Sequence, residues 1–299
     1  MARVMRPFAV GDVQVASVME FVTPWFDPGV LFPDSTPEAA ARHRDRLGPH
    51  CIDAASGALI MASQSFLLRT PHHTVLIDTC VGNHKQRPNP KLHGADWPWL
   101  DRLGTAGVAP QDIDMVLCTH LHVDHVGWNT CLKDGRWVPT FPNARYLFHR
   151  REFEARIEAD RNAPNPAGDY MGDSVAPVMD AGQGVLVDGD HEIGDGLWLE
   201  PAPGHSPGHV CIRLERGGLR ALFSGDVMHH PIQCAEPSWS SRFCTDPAES
   251  RRTRRSLLER CADTDVVVVP AHFPNGTAGR VVSAGDGFRF AFLPADELQ

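Results

Sequence analysis

Short apolar runs alternate with turn residues along most of the chain. Runs bounded by Gly, Pro, Asn or Asp fall at 13–18, 58–69, 74–78, 115–119, 144–148, 196–200, 210–214, 220–223 and 265–269, and their lengths and β-branched content predict strands. Helices are marked instead by their start signals. In "STPEAAARHRDRLG", Pro37 stands in a first-turn position, alanines fill the interior and Gly48 supplies a stop. In "DPAESRRTRRSLLERC", Asp246 is placed to cap, Pro247 to lead and Glu249 to sit third. On that helix Leu257, Leu258 and Cys261 supply the apolar stripe, so Arg251, Arg252, Arg254 and Arg255 are expected to form a solvated face. Two further helices are expected over 150–159 and 97–104.

The order is strands first, then strands alternating with helices. Long connections rich in Pro, Gly and Trp at 20–35, 82–99, 161–181 and 229–246 are longer than idle loops of a compact domain, and are candidate pocket walls.

Composition narrows the class. The chain has 299 residues, enough to bury a sizeable core, and one domain with elaborations is expected. Its formal charge of −9 would repel a phosphate backbone, so nucleic acid is not an expected partner. The opening "MARVMRPFAVGDVQVASV" lacks the continuous apolar stretch of a secretory signal, which favours a cytoplasmic protein. No run reaches the ~20 apolar residues that cross a bilayer, so no membrane partner is expected. Eight cysteines occur without a C-x-x-C pair, as suits buried reduced thiols.

Candidate chemistry concentrates in "HLHVDH". His120 and His122 leave a predicted strand as i and i+2 residues and project to one side, where they can share a metal ion; Asp124 and His125 can turn toward a second. Elsewhere "PGHSPGH" with His205, "LFSGDV" with Asp226 and "VVVVPAHF" with His272 each place a polar residue just beyond an apolar run. There is no G-x-S-x-G nucleophile elbow.

With "HLHVDH", "PGHSPGH", "SGD" and "PAH" in this order, the chain resembles the metallo-β-lactamase fold superfamily of hydrolases over roughly 58–275. The resemblance implies an α/β fold, a four-layer αβ/βα sandwich with metals at one edge between two sheets, carried by a single domain over 1–299. Residues 1–57 would be an N-terminal extension and 58–275 the core. It also implies that His120, His122 and His205 hold one ion, that Asp124, His125 and His272 hold the other, and that Asp226 bridges both. Asp78, ending "VLIDTC", would support a ligand from behind. The implied cofactors are two divalent ions, zinc first, with Mn, Fe or Co accepted by the same donors.

Such a pair generates a bridging hydroxide that attacks an ester-type bond. Asp124 or Asp226 is a candidate proton relay. The extended N-terminal segment looks like the lactonase and methyl parathion hydrolase branch, so a lactone or carboxylic ester is the favoured substrate. An organophosphate triester or a thioester is the alternative within the class, and an iron redox or ligand-sensing protein the alternative outside it. Trp128, Trp25, Phe26, Trp97, Trp239 and Phe243, with Trp99, stand on predicted loops and are candidate walls of a pocket for a small molecule with an apolar or aromatic part. His209, His229 and His230 flank the motifs and either orient a substrate or are bystanders; His229 is counted with the pocket. A homodimer is implied by the family alone.

Overall fold

The computed structural model describes residue 5, residues 7–274 and residues 276–294. The outermost ends of the expected domain, 1–4 and 295–299, lie outside the described residues.

The first sheet is built from β1 (Phe8–Val10), β2 (Val13–Phe26), β3 (Leu59–Arg69), β4 (Thr74–Ile77) and β5 (Met115–Leu117); a hairpin of β6 (Thr130–Lys133) and β7 (Arg136–Pro139) stands apart, and β8 (Arg145–His149) and β9 (Gly184–Val187) complete it. Its order is β1-β2-β3-β4-β5-β8-β9, antiparallel up to β4 and parallel from β4 onward. The second sheet runs in sequence order through β10 (His191–Gly194), β11 (Leu197–Pro201), β12 (Val210–Arg216), β13 (Leu219–Gly225), β14 (Val267–Pro270), β15 (Gly279–Ala284) and β16 (Gly287–Phe292), and β13–β14 is its parallel pair.

The side-chain period of two decides the layers. In β3, Phe66 and Leu68 enter the core between the sheets while Leu67 faces the opposite way; in β4, Val75 and Ile77 face in and Leu76 out. Residues of the second sheet, Leu199, Ile212, Leu214 and Phe223, meet them in the same core. The outward faces are covered by helices. These are α1 (Pro28–Leu31), α2 (Pro37–Ala41), α3 (Arg44–Leu47), α4 (Trp99–Thr105), α5 (Arg150–Asn162), α6 (Tyr170–Ser174), α7 (Ala176–Asp180), α8 (Ile232–Ala235) and α9 (Pro247–Cys261). Helices α4 to α7 pack on the first sheet and α8 and α9 on the second, giving the four-layer α/β sandwich. Among the described residues no helix is long and apolar enough to cross a membrane.

Several local expectations are corrected. The strand over 13–18 runs on to Phe26, so Trp25 and Phe26 stand on β2 rather than on a loop, and Trp99 opens α4. Register shifts at Met19/Phe21 and Pro24/Phe26 mark bulges that let β2 continue while re-aiming Glu20 and Trp25. The helix over "STPEAAARHRDRLG" breaks into α2 and α3.

Arg254 is fully buried, not solvated. The reason is periodic: 254 precedes Leu257, Leu258 and Cys261 by three, four and seven positions, so it lies on the apolar stripe itself. Its guanidinium donates to the carbonyls of Pro237 and Val227 and to the hydroxyls of Ser240 and Ser250.

Candidate metal centre

Parallel strand pairs deliver the polar residues to one edge. Asp78 follows β4, the His120–His125 segment follows β5, Asp226 follows β13, and His272 follows β14. Open α/β sheets gather ligands beyond the carboxyl ends of their strands, and this edge obeys that rule. His205 arrives on the β11–β12 turn.

Buried carboxylates hold these turns. Asp78 accepts from the backbone N–H and hydroxyl of Thr119, both at 2.8 Å, and lies 2.8 Å from His125 Nδ1. Glu152, in the first turn of α5, accepts from the N–H groups of Leu121 (3.1 Å) and Gly208 (2.9 Å), tying the His120 segment to the His205 turn. Glu20, turned inward by its bulge, accepts from the N–H groups of Val81 and Gly82, from Ser63 Oγ and from Trp128 Nε1. Gly127 passes so close to the 81–82 segment that a Cβ there would sit 1.8 Å from the Val81 carbonyl oxygen, so no other residue fits.

Within this frame His120, His122 and His205 form one group of donor atoms all within 4.8 Å of one another; Asp124, His125 and His272 form a second. Asp226 stands between them. Its Oδ1 faces His272 Nε2 at 3.1 Å and His125 Nε2 at 3.3 Å, while its Oδ2 faces His205 Nε2 and His229 Nε2 at 3.3 Å and His120 Nε2 at 3.8 Å. One oxygen thus serves each group, the disposition a carboxylate needs to bridge two cations. The ring nitrogens facing outward are separately held: His125 Nδ1 by Asp78, His272 Nδ1 by the Ala62 carbonyl at 2.8 Å, and His205 Nδ1 3.7 Å from Cys244 Sγ. Such outer contacts fix the tautomer and leave the inner nitrogen free to ligate.

The donor set fits a pair of divalent ions on the chain's own chemistry. His120 Nε2 is buried with no hydrogen-bond partner, and His125 Nε2 and Asp226 Oδ1 face each other without the geometry of a hydrogen bond. Buried polar atoms left this way are costly unless a ligand engages them. His205 Nε2 and His122 Nδ1 approach to 2.9 Å, two imidazole nitrogens aimed at one point.

Electrostatics divide the cluster: one pair of histidines is held neutral, and around the other the carboxylates attract positive charge. Burial holds His120 and His205 well below the ordinary imidazole range. Burial also pushes His272 down, but Asp226 and Asp124 overcome it and raise it to about 9; Asp226, Asp78 and Asp124 likewise lift His125 well above its usual value. For Asp226 burial pushes up, and His272, His125 and His229 outweigh it, so the carboxyl sits well below its usual range.

A cavity of about 520 Å³ opens onto this centre and is lined by His122, Asp124, His205, Asp226 and His272. Of the aromatic candidates, Trp25, Phe26 and Phe243 line it, joined by Phe21; His229 lines it too. Trp128, Trp97 and Trp239 do not. Trp128 is buried, stacks on Trp99 at 5.3 Å and spends its indole N–H on Glu20. Trp239 packs on Phe32 in the N-terminal cluster, and Trp97 backs onto Phe21. An aromatic ring buries more area against the core than it can offer a solvent-filled pocket, which decides Trp128 and Trp239, while Trp97 is half-buried behind Phe21.

His230 is structural, its Nε2 against the Cys51 carbonyl, whereas His209 Nε2 accepts the Asp226 N–H at 3.0 Å and so positions that residue. Glu152 and Glu20 carry no sequence signal for this work, since their partners are donors of distant segments, backbone N–H groups and, for Glu20, also Ser63 and Trp128. His229, close to Asp226, also forms a third possible donor group with His205 and Asp226.

Residues 60–272 match the profile of the Metallo-beta-lactamase superfamily. The N-acyl homoserine lactonase of Bacillus cereus is 28% identical over 171 residues, 52% of this chain and 60% of that protein. The N-acyl homoserine lactonase AttM of Azorhizobium caulinodans is 30% identical over 177 residues, 56% of this chain and 61% of that protein. The chain therefore spans about 60% of the length of these curated relatives. Among solved structures, the hydrolase AbOPH superposes with a TM-score of 0.79 at 22% identity, covering 98% of this chain and 99% of that one. AidC, a dizinc quorum-quenching lactonase, superposes at 0.77 with 19% identity, covering 97% and 98%. At those identities the likeness is one of fold.

Proposed function

This chain belongs to the metallo-beta-lactamase superfamily, and we propose that it is a dinuclear metal-dependent hydrolase that cleaves a lactone or carboxylic ester of a small molecule. The observation that carries the reading is the position of Asp226, whose two oxygens divide between two groups of histidines at the floor of a cavity. The similarity to N-acyl homoserine lactonases supports the ester-type bond.

His120, His122 and His205 would hold one ion, Asp124, His125 and His272 the other, with Asp226 shared and zinc the favoured metal. When bound, such ions would supply an acidified water nucleophile and Lewis-acid polarisation of the substrate carbonyl.

The chain's residues supply the rest. Asp78 and the Ala62 carbonyl keep His125 and His272 in the tautomer with Nε2 facing inward. Asp226 is hemmed in on both oxygens, whereas Asp124 is 35% exposed, lines the cavity and lies 3.6 Å from His272, so Asp124 is the carboxylate placed to carry a proton to the leaving oxygen. His229 lines the opposite side of Asp226 and orients the substrate. Phe21, Trp25, Phe26 and Phe243 receive the apolar part.

The test is a panel of lactones, aryl esters, thioesters and aryl phosphotriesters, run with metal-free, zinc-loaded and His122→Ala protein alongside metal analysis. Turnover of lactone or ester should require metal and fall by orders of magnitude in the variant. Equal turnover by metal-free and loaded protein would overturn the proposal.

A further inference from the structure

The cavity has two unlike walls. One is aromatic and continuous: Phe21 stacks on Trp25 at 5.0 Å, Trp25 meets Phe26 edge-on at 6.2 Å, and Phe26 meets Phe243 at 5.7 Å. The other is cationic, lined by Arg87, Arg156 and Arg242 from three separate segments.

In a chain of net charge −9 this concentration runs against composition. The cavity's own carboxylates are Asp124 and Asp226, and both are engaged by histidines of the metal centre. None of the lining carboxylates remains for the arginines, and of the three only Arg87 has a close carboxylate partner among the described residues, Asp173, outside the lining.

The three differ in what they already hold. Arg87 is 3% exposed and bound through both terminal nitrogens to Asp173, at 2.6 and 2.8 Å, with its Nε buried and unpartnered. It is chiefly a rigid part of the wall. Arg156 gives one terminal nitrogen to Tyr170 Oη at 2.7 Å and reaches Asp160 only at 4.0 Å, leaving N–H groups of its fork uncommitted. Arg242 has no carboxylate within ion-pair distance among the described residues; its guanidinium sits 6.0 Å from the Phe243 ring, at the junction of the two walls. Lys91 adds a further cation over Trp25 at 4.8 Å. A planar fork with free N–H groups beside apolar rings is an arrangement that binds a carboxylate with charge-assisted hydrogen bonds, although Arg242 and Phe243 stand at the exposed rim of the cavity.

We propose that the substrate is an anionic ester, its apolar part packed on the Phe21–Trp25–Phe26–Phe243 wall and a carboxylate elsewhere in the molecule bound by Arg156 and Arg242. This rests on the ester-hydrolase reading above and adds the charge of the substrate to it.

Three esters of matched size separate the two ideas: phenyl hexanoate, the monophenyl ester of adipic acid, and 3-carboxyphenyl hexanoate. The first is neutral, and the others carry the carboxylate on the acyl or the leaving-group side. With zinc-loaded protein at low ionic strength, kcat/KM for one of the charged esters should exceed that of the neutral ester by about tenfold or more. The Arg156→Gln/Arg242→Gln double variant should bring that ratio close to one. A ratio at or below one for both charged esters, or a ratio the double variant leaves unchanged, overturns the proposal.

A binding arm needs no turnover. Tryptophan fluorescence of the zinc-loaded protein, titrated with 3-phenylpropanoate and with its uncharged amide, should show the same preference for the anion and its loss in the double variant. An anion preference that survives both substitutions belongs to the metals and overturns the assignment to arginine. Absence of metal-dependent hydrolysis for all three esters and for the lactones of the panel above sinks the hydrolase reading, while the fluorescence titrations still decide the carboxylate.

Discussion

Asp78 Oδ2 lies 2.8 Å from His125 Nδ1, and the same carboxylate accepts the N–H and hydroxyl of Thr119, the residue that precedes the first histidine of the motif. One buried acid therefore fixes both the imidazole and the backbone that launches its neighbours. Asp78→Ala should weaken metal binding about 10- to 100-fold, the usual cost of losing such a partner, as read by competition with a chelator. Asp78→Asn, which tolerates the left-handed backbone at φ 56, should retain the fold but lose affinity. Unchanged affinity in both variants would show that His125 is held in place by packing alone.

Glu152 performs the corresponding task for the two turns that carry His120, His122 and His205. Removing its side chain leaves the N–H groups of Leu121 and Gly208 buried without acceptors, at about 1 to 3 kcal/mol each. Glu152→Ala should thus lower the urea-unfolding free energy by about 2 to 6 kcal/mol and loosen metal binding as well. Gly208→Ala should fail in the same way, because a Cβ there would lie 2.3 Å from the Glu152 backbone nitrogen.

Glu152 and Glu20 show where the sequence stops being readable, whereas Asp78 stands where the resemblance places it. His120, His122, Asp124 and His125 stand out because the motif is dense, and Asp226 and His272 because each follows an apolar run at a strand terminus, whereas His205, on the β11–β12 turn, is marked by the "PGHSPGH" motif. The nine strands read from apolar runs all exist; of the added ones, β6 and β7 lie where polar and charged residues break up the apolar run, whereas β16 (GFRFAF) keeps a clean alternation. Glu152 and Glu20 are invisible because their partners, backbone N–H groups and for Glu20 also the Ser63 and Trp128 side chains, are brought near only by folding. Trp128 was misplaced for a related reason. An aromatic ring beside a metal motif reads the same in one dimension whether it faces the cavity or, as here, stacks on Trp99 with its N–H on Glu20.

Arg254 is the clearest conflict between local pattern and fold, a buried cation answered by carbonyls and hydroxyls rather than by a carboxylate. Burial pushes its pKa down to about 10, so it stays charged at neutral pH. Its bond to the Val227 carbonyl braces the segment directly after Asp226. Arg254→Met should cost about 2 to 4 kcal/mol in unfolding free energy, because the carbonyls of Val227 and Pro237 lose their donors. Arg254→Lys should rescue little, since one ammonium cannot reach the separate acceptors a planar fork spans. Full recovery by lysine would mean that charge, not the fork, is what the site requires.

Glu20 gives stability a specific dependence on pH. Burial raises its pKa from 4.5 to about 7, against the N–H groups of Val81 and Gly82 and the side chains of Ser63 and Trp128, which favour the anion. Between those two values the folded chain retains a proton that the unfolded chain has released. Unfolding free energy must then fall as pH rises from 4.5 toward 7 and level off above, by about 3 kcal/mol from this group. Glu20→Gln removes the titration. The difference in urea stability between wild type and Glu20→Gln, followed from pH 4.5 to 8, should therefore shift against the wild type across that window. A difference that stays flat would place the four donors ahead of burial and make Glu20 an anion throughout.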